Sequence, residues 1–218
     1  MISGKSFSPA VASLAARMTR LRGATGGMAA VEFAMVLPIM VGMYLGCCEV
    51  SSGFSASKKV DAAARALSDL TAQAAVDIQQ SDMTDIIAAA TGVMQPFDGS
   101  AAPLTITSFI MPTPLPLQPV RAYTDWSYVR GGAAVPCGDQ TAVVPAGFLA
   151  AGRSVVKADV AYNYMPLLAG PFHTIGTGST TQIALHATIW MEPRVQQRVK
   201  LAGGVPGTCS YIPAKSFP

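Results

Sequence analysis

The sequence has little of what an enzyme active site needs. It contains two histidines and only 12 acidic residues in 218, so few side chains are available for general acid–base chemistry. It has no GxSxG or P-loop motif, and no GxGxxG run in a strand-to-helix context, which argues against common nucleophile and phosphate-binding sites. We therefore predict that the protein is not an enzyme and takes no small-molecule substrate.

Patterns for metal and nucleic-acid binding are missing as well. His173 and His186 are isolated, and no CxxC, HxH or HExxH spacing occurs, so neither a metal site nor a cofactor is predicted. The net charge of +3 comes from four basic residues that precede Gly27, and the rest of the chain has one more acidic than basic residue. No basic patch is left there to predict a nucleic-acid partner.

What the chain does contain is one long apolar run. Residues 28–48 carry a single charged side chain, Glu32, and as a helix they would be about 30 Å long, the thickness of the hydrocarbon core of a bilayer. We predict a transmembrane helix here. A carboxylate inside such a span costs about 3 kcal/mol on insertion scales, so Glu32 is predicted to have a function.

The flanking charges predict the orientation of the span. Four basic and no acidic side chains precede Gly27, whereas Lys58 and Lys59 are the first basic residues after the span. Because basic residues stay on the cytoplasmic side, the N-terminus is predicted to be cytoplasmic and the remainder of the chain to be exported.

Three kinds of leader explain parts of this arrangement. An ordinary signal peptide is cleaved after its apolar region, but the small pair Gly26-Gly27 precedes the apolar region here. An uncleaved signal anchor explains the charges and the span, but not the glycine pair or Glu32. Cleavage after Gly27 would create a new α-amine on Met28 and make Glu32 the fifth residue of the mature chain.

Cleavage after a glycine, with glutamate at mature position five, resembles the processing of type IV prepilins. The run RGATGGMAAVEF, followed by AMVLPIMVGMYLG, is similar to the TadE-like proteins, the minor pilins or pseudopilins of the Flp (tight adherence, Tad) pilus. The resemblance is strongest from Arg22 to about Ser68. More weakly, VKADVAYNYMPLL and ALHATIWMEPRV resemble strands of TadE-like and TadG-like chains.

The resemblance implies a minor pilin or pseudopilin that a prepilin peptidase cleaves between Gly27 and Met28, with Glu32 and Phe33 in the assembly region. It implies a single-pass protein of the bacterial inner membrane with a periplasmic C-terminal domain. The implied partners are that membrane, the peptidase, other pilins and the Tad assembly machinery. Whether the protein enters the extracellular pilus or stays in the membrane is left open.

Physical chemistry offers two interpretations of Glu32. In a filament, a buried carboxylate needs a cation, and the α-amine of Met28 on a neighbouring subunit would supply one. A subunit displaced by one turn would bury both charges unpaired, so the pair would set the register of assembly. Alternatively, Glu32 simply reaches the lipid headgroups.

If Glu32 has no role in assembly, a second functional hypothesis applies. The protein would then be an uncleaved, membrane-anchored exported binding or surface protein unrelated to pili.

The exported part is predicted to be α+β, with one long helix, half transmembrane and half amphipathic, packed on a small antiparallel sheet. The domains are predicted as a leader (1–27), the span (28–48), a helical region (49–95) and a β-rich region (96–218). Apolar residues at helical spacing extend the long helix to Ile78, and a short second helix covers 85–90. Strands are predicted at 104–110, 122–129, 155–164 and 182–191.

The four cysteines fall into two pairs. Cys137 and Cys209 lie in loop-like contexts of the exported region, and in an oxidising compartment we predict a disulfide between them. Cys47 and Cys48 end the span, and there lipidation, pairing between subunits and simple apolar packing are all open.

Overall fold

A computed structural model of the protein describes residues 27–114, 116, 119–132, 134–138, 143–166 and 182–202. The elements are helices α1 (Met28–Ala72) and α2 (Gln80–Val93), strands β1 (Leu104–Met111), β2 (Tyr123–Arg130), β3 (Arg153–Tyr164) and β4 (Ile183–Met191), and a 3₁₀ turn at Ala146–Phe148. The chain divides into two compact units, Met1–Cys48 and Glu49–Pro218.

Helix α1 is 45 residues long and contains Pro38. Beyond the apolar segment, buried residues recur every three or four positions and include Ala56, Val60, Ala64 and Leu67, which is the spacing of a single helix face. The predicted continuation of the helix is therefore confirmed, but its predicted end is six residues too late. Ile78 leaves the helix and forms a parallel bridge with Leu201 instead.

Helix α2 is longer than the sequence predicted, because it begins five residues earlier and ends three residues later. The side chain of Asp82 accepts a hydrogen bond from the backbone N–H of Gln79, at 2.9 Å, and so occupies one of the donors that a helix start leaves without a partner. The N-cap residue is Gln79, and glutamine is not among the residues most favoured at this position.

All four predicted strands are present and form an antiparallel sheet in the order β2-β1-β3-β4. The part of α1 that belongs to the second unit, from Glu49 onward, packs on this sheet. This packing confirms the predicted α+β class. The alternation along β3 explains why, since Val156, Ala158 and Val160 are all buried in the core shared with α1.

Each face of the sheet has its own apolar core. The larger core joins α1 and α2 to one face and contains Leu67, Met83 and Trp126. A smaller core on the other face contains Phe109, Met111 and Val155, and Val144 and Ala122 cover it. A shift in the register of β1 with β2 between Ser108 and Phe109 adds a residue to one strand and increases the local twist.

The segment after β4, residues 192–202, crosses the end of the sheet, and we call it the strap. It binds the end of α1, where the N–H of Arg194 donates to the carbonyl of Ala72 at 2.9 Å. It also reaches the far edge strand, where the indole N–H of Trp126 donates to the carbonyl of Val199 at 2.8 Å. The strap therefore ties the C-terminal end of α1 to strand β2.

Candidate assembly segment

The candidate site is the beginning of α1, which carries the predicted cleavage and assembly residues. The first residue of the helix is Met28, directly after Gly27. A Cβ atom added at Gly27 would meet no heavy atom within 4 Å. The fold of the described chain therefore gives no steric reason for glycine at this position.

The apolar part of α1 is a candidate membrane span on the basis of its length and composition. In the most apolar 18 residues of this helix, no residue is buried inside the protein. The exposed side chains are large and apolar, and they include Met35, Ile39, Met43 and Tyr44. Such a surface requires a non-aqueous environment, because contiguous apolar patches of this size are rare on soluble monomers.

Glu32 and Phe33 lie in the second turn of this exposed helix. Phe33 is 61% exposed, and Glu32 is also exposed. No hydrogen bond or ion pair connects Glu32 to another residue in the part of the chain that the structure describes. The carboxylate is thus available to a partner outside the subunit, whether a headgroup, water or another protein.

The cysteines do not gather at this segment. Cys47 and Cys48 are free thiols and are exposed. Cys137 follows β2, beside Gly138, whose N–H donates to the carbonyl of Thr124 at 2.9 Å. Cys137 is not a free thiol, but Cys209 lies outside the described residues, so its pairing with Cys137 stays a prediction.

A contact that the sequence analysis did not identify lies just after the apolar segment. The hydroxyl of Tyr164, at the end of β3, donates to Oε1 of Glu49 at 3.0 Å. Burial, and then the hydrogen bond to Glu49, raise the pKa of Tyr164. The Tyr-x-Tyr-x-Pro run is visible in the sequence, but Glu49 is 115 residues away along the chain, and no local pattern connects the two.

The outer face of the sheet carries a polar network around Asp159. The carboxylate binds Lys157 Nζ at 2.8 Å and accepts a hydrogen bond from the Thr188 hydroxyl at 2.6 Å. His186 Nε2 is 3.7 Å away from it, on the opposite side of β4 from the apolar side chains. His173 lies outside the described residues. Lys157 and Asp159 are both on β3, whereas Thr188 lies opposite Asp159 on β4, so the hydrogen bond from Thr188 is a cross-strand contact that stabilises this strand pair.

Comparison with protein families finds a match, to a segment near the beginning of the chain. The model of the TadE family, described as TadE-like protein, matches residues 27–68. Residues 27–68 are TadE-like. No curated protein and no solved structure matches the chain.

The TadE-like segment starts at Gly27 and includes Met28, Glu32 and Phe33. It covers the candidate membrane span and the part of α1 that packs on the sheet up to Ser68. The resemblance predicted from the sequence is confirmed over this range. The match relates the chain to proteins of the Tad pilus, and the long apolar helix that begins at Met28 suits a membrane-anchored member of that group.

Proposed function

We propose that the protein is a minor pilin or pseudopilin of an Flp/Tad pilus, made with a leader that prepilin peptidase removes after Gly27. The observation that carries this proposal is that two boundaries fall at adjacent residues, directly before an exposed apolar span. The TadE-like match begins at Gly27, the helix begins at Met28, and the span that follows is exposed along its length. A simple anchor has no need for a glycine at this junction.

The test of processing is N-terminal sequencing of the protein from its own cells, which should find Met28 as the first residue. Gly27→Leu should leave the longer precursor in the membrane, because the peptidase must fit the residue before the scissile bond. The variant should still fold, since the position of its Cβ is open. Gly46→Leu is the matched control, as its Cβ position on α1 is equally open, and it should be processed normally.

An intact leader in the wild-type protein would contradict the proposal. The same result would favour the alternative, an uncleaved membrane-anchored protein with an exported binding domain. Cleavage at a site beyond Cys48 would exclude both, since the helix would then be lost from the mature chain.

For assembly, we propose that Glu32 pairs with the α-amine of Met28 on a neighbouring subunit. Support comes from the exposure of Glu32 and from the apolar side chains around it, which would be buried when subunits pack. A charge buried without its partner costs several kcal/mol, so a pair of this kind favours one axial register. Cleavage after Gly27 creates the free α-amine of Met28, so processing must come before assembly.

Glu32→Gln tests this role, because it removes the charge while keeping the shape of the side chain. We expect membrane insertion to continue and piliation to fall sharply, as the unpaired amine would then be buried. Glu192→Gln is the control, since Glu192 is a half-exposed carboxylate paired with Arg153 and should leave piliation unchanged. Wild-type piliation in Glu32→Gln would remove the register role.

The size of the exported part supports a minor or initiating role over that of a major pilin. The second unit extends from Glu49 to Pro218, which is much larger than the short exposed part expected of an Flp major pilin. We therefore propose that the protein works at the inner membrane with the peptidase, other pilins and the Tad machinery, with its C-terminal domain in the periplasm.

A further inference from the structure

The exposed apolar surface of α1 continues into the part of the helix that packs on the sheet. Val50 and Phe54, one helical turn apart, are 75% and 63% exposed, although both belong to the unit that contains the sheet. Ala56 is fully buried, and a Cβ atom added at Gly53 would lie 3.6 Å from the ring of Tyr164. One side of these helical turns therefore packs on the domain, while another side presents large apolar side chains.

A lysine ends this apolar surface. Lys58 is exposed and follows Phe54 by four residues, so the two side chains lie on the same side of the helix. Nζ of Lys58 lies 5.1 Å from the centroid of the Phe54 ring. Because side chains of a helix lean toward its N-terminus, the ammonium group is carried toward the apolar segment. A lysine at the edge of a bilayer uses this geometry, with its stem on apolar surface and its charge among the headgroups.

The length of α1 places Phe54 and Lys58 at the edge of a bilayer. A hydrocarbon core of about 30 Å takes about 20 helical residues. With Glu32 at the headgroups of one leaflet before assembly, the core begins at Phe33, and about 20 residues from there reach Ser52. Phe54 then lies just outside the hydrocarbon core of the other leaflet. Lys58 lies about 6 Å further along the helix, within reach of the lipid phosphates.

The end of the sheet beside these turns is apolar as well. The hydroxyl of Tyr164 donates to Glu49 of α1 at 3.0 Å, and Tyr164 lies opposite Ile183 where β3 ends and β4 begins. Ile183 is 46% exposed and Met165 is 55% exposed. The helix and the sheet thus both present apolar side chains at the end of the domain that follows the candidate span.

We propose that the surface formed by Val50, Phe54 and Lys58, which we call the juxtamembrane face, binds the phospholipid headgroup layer on the C-terminal side of the span. The two apolar side chains enter the boundary between acyl chains and headgroups, and Lys58 binds the lipid phosphates. A bilayer is the occupant that fits, because the face continues the exposed apolar surface of the candidate span and ends in a cation. This inference rests on the membrane span of the proposed function, but not on cleavage after Gly27.

The test places a tryptophan on the juxtamembrane face of the full-length protein. Phe54→Trp is reconstituted in phosphatidylcholine liposomes whose acyl chains carry bromine atoms, which quench tryptophan on contact, close to the headgroups. We expect the added tryptophan to lose most of the emission that it shows in the same lipid without bromine. The wild-type protein measures the contribution of the native residues Trp126 and Trp190. Equal emission of the added tryptophan in both lipids would overturn the proposal.

Val195→Trp is the matched control. Val195 is 61% exposed, much as Phe54 is, but it belongs to the strap. The N–H of the neighbouring residue Arg194 donates to the carbonyl of Ala72, which follows Phe54 by about 27 Å along α1. The tryptophan added at position 195 should therefore emit equally with and without bromine. Equal quenching at positions 54 and 195 would show unspecific contact with lipid and would also overturn the proposal.

Met40→Trp separates a failure of this inference from a failure of the proposed span. Met40 is 57% exposed in the apolar segment, and a tryptophan there should be quenched by bromine near the middle of the bilayer. An unquenched Met40→Trp would contradict the membrane span, and the inference with it. Quenching of Met40→Trp without quenching of Phe54→Trp would overturn the juxtamembrane face alone and leave the span standing.

Reversal of the charge on Lys58 tests the contact with phosphate. Lys58→Glu, combined with Phe54→Trp, sets a carboxylate against lipid phosphates of like charge, so quenching at position 54 should weaken. Lys200→Glu makes the same change at an exposed lysine of the strap and should leave the quenching unchanged. Equal quenching with Lys58→Glu and with Lys200→Glu would refute the role of Lys58.

Discussion

Removal of one partner of the buried ion pair between β2 and the strap should strongly destabilise the domain that contains the sheet. The guanidinium of Arg198 binds both carboxylate oxygens of Asp125, at 2.7 and 2.6 Å. The side chain of Asp125 is 5% exposed and that of Arg198 is 29% exposed. Arg198→Ala leaves a carboxylate that water hardly reaches, so we expect a loss of about 3 kcal/mol, the lower end of the range for broken buried pairs.

The measurement is guanidinium-induced unfolding of the full chain in detergent, followed by tryptophan fluorescence. Trp126 is next to Asp125 in β2 and bonds to Val199 of the strap, so its emission reports on this region. The matched control is Arg153→Ala. It breaks the Arg153–Glu192 pair, whose side chains are 60% and 39% exposed, and exposed pairs contribute less than about 1 kcal/mol.

Equal losses in Arg198→Ala and Arg153→Ala would refute the reasoning. A double replacement, Asp125→Leu with Arg198→Met, should recover most of the stability, since apolar residues of similar volume often replace a buried pair without cost. The pair should not make stability depend on pH near neutrality. The hydrogen bonds between Arg198 and Asp125 raise the pKa of Arg198. The contribution of the pair to folding stability is therefore fully present below the ordinary pKa of arginine and is lost only as the pH rises above it.

Two further predictions concern the same domain. Trp126→Phe keeps the ring in the core but removes its hydrogen bond to Val199; since the carbonyl stays buried without that donor, unfolding should require about 1–2 kcal/mol less. Cys137 and Cys209 should appear as one linked peptide pair in non-reducing mass mapping. They are 72 positions apart in the sequence, and closing a loop of this length should add about 4 kcal/mol to stability in the chain-entropy model. Alkylation of both cysteines without prior reduction would contradict the second prediction.

The fold class could be predicted because its signals are local. Strand β3 alternates apolar and polar side chains, and its predicted and observed ends differ by two residues at the start and by none at the end. The span and its single carboxylate are equally local, as they depend only on composition over 21 residues of sequence. Burial on one face of a sheet or helix repeats at short intervals, so the sequence alone shows it.

Helix ends were predicted less well, because competing contacts decide them. The apolar spacing of α1 continues to Ile78, yet the backbone N–H of Ile78 bonds to the carbonyl of Lys200 at 2.9 Å. A residue of the distant strap thus replaces the helical hydrogen bond. Only the tertiary structure brings that strap close enough to compete.

The sequence by itself determined that this chain has an apolar helix with a carboxylate near its start, a TadE-like segment and an α+β part after the apolar run. The tertiary structure decided which distant side chains meet. Asp125 and Arg198, like Glu49 and Tyr164, are ordinary polar residues in the sequence, 73 and 115 positions apart. Their contacts depend on how the strands and the strap pack together, and no repeat or spacing along the chain carries that information.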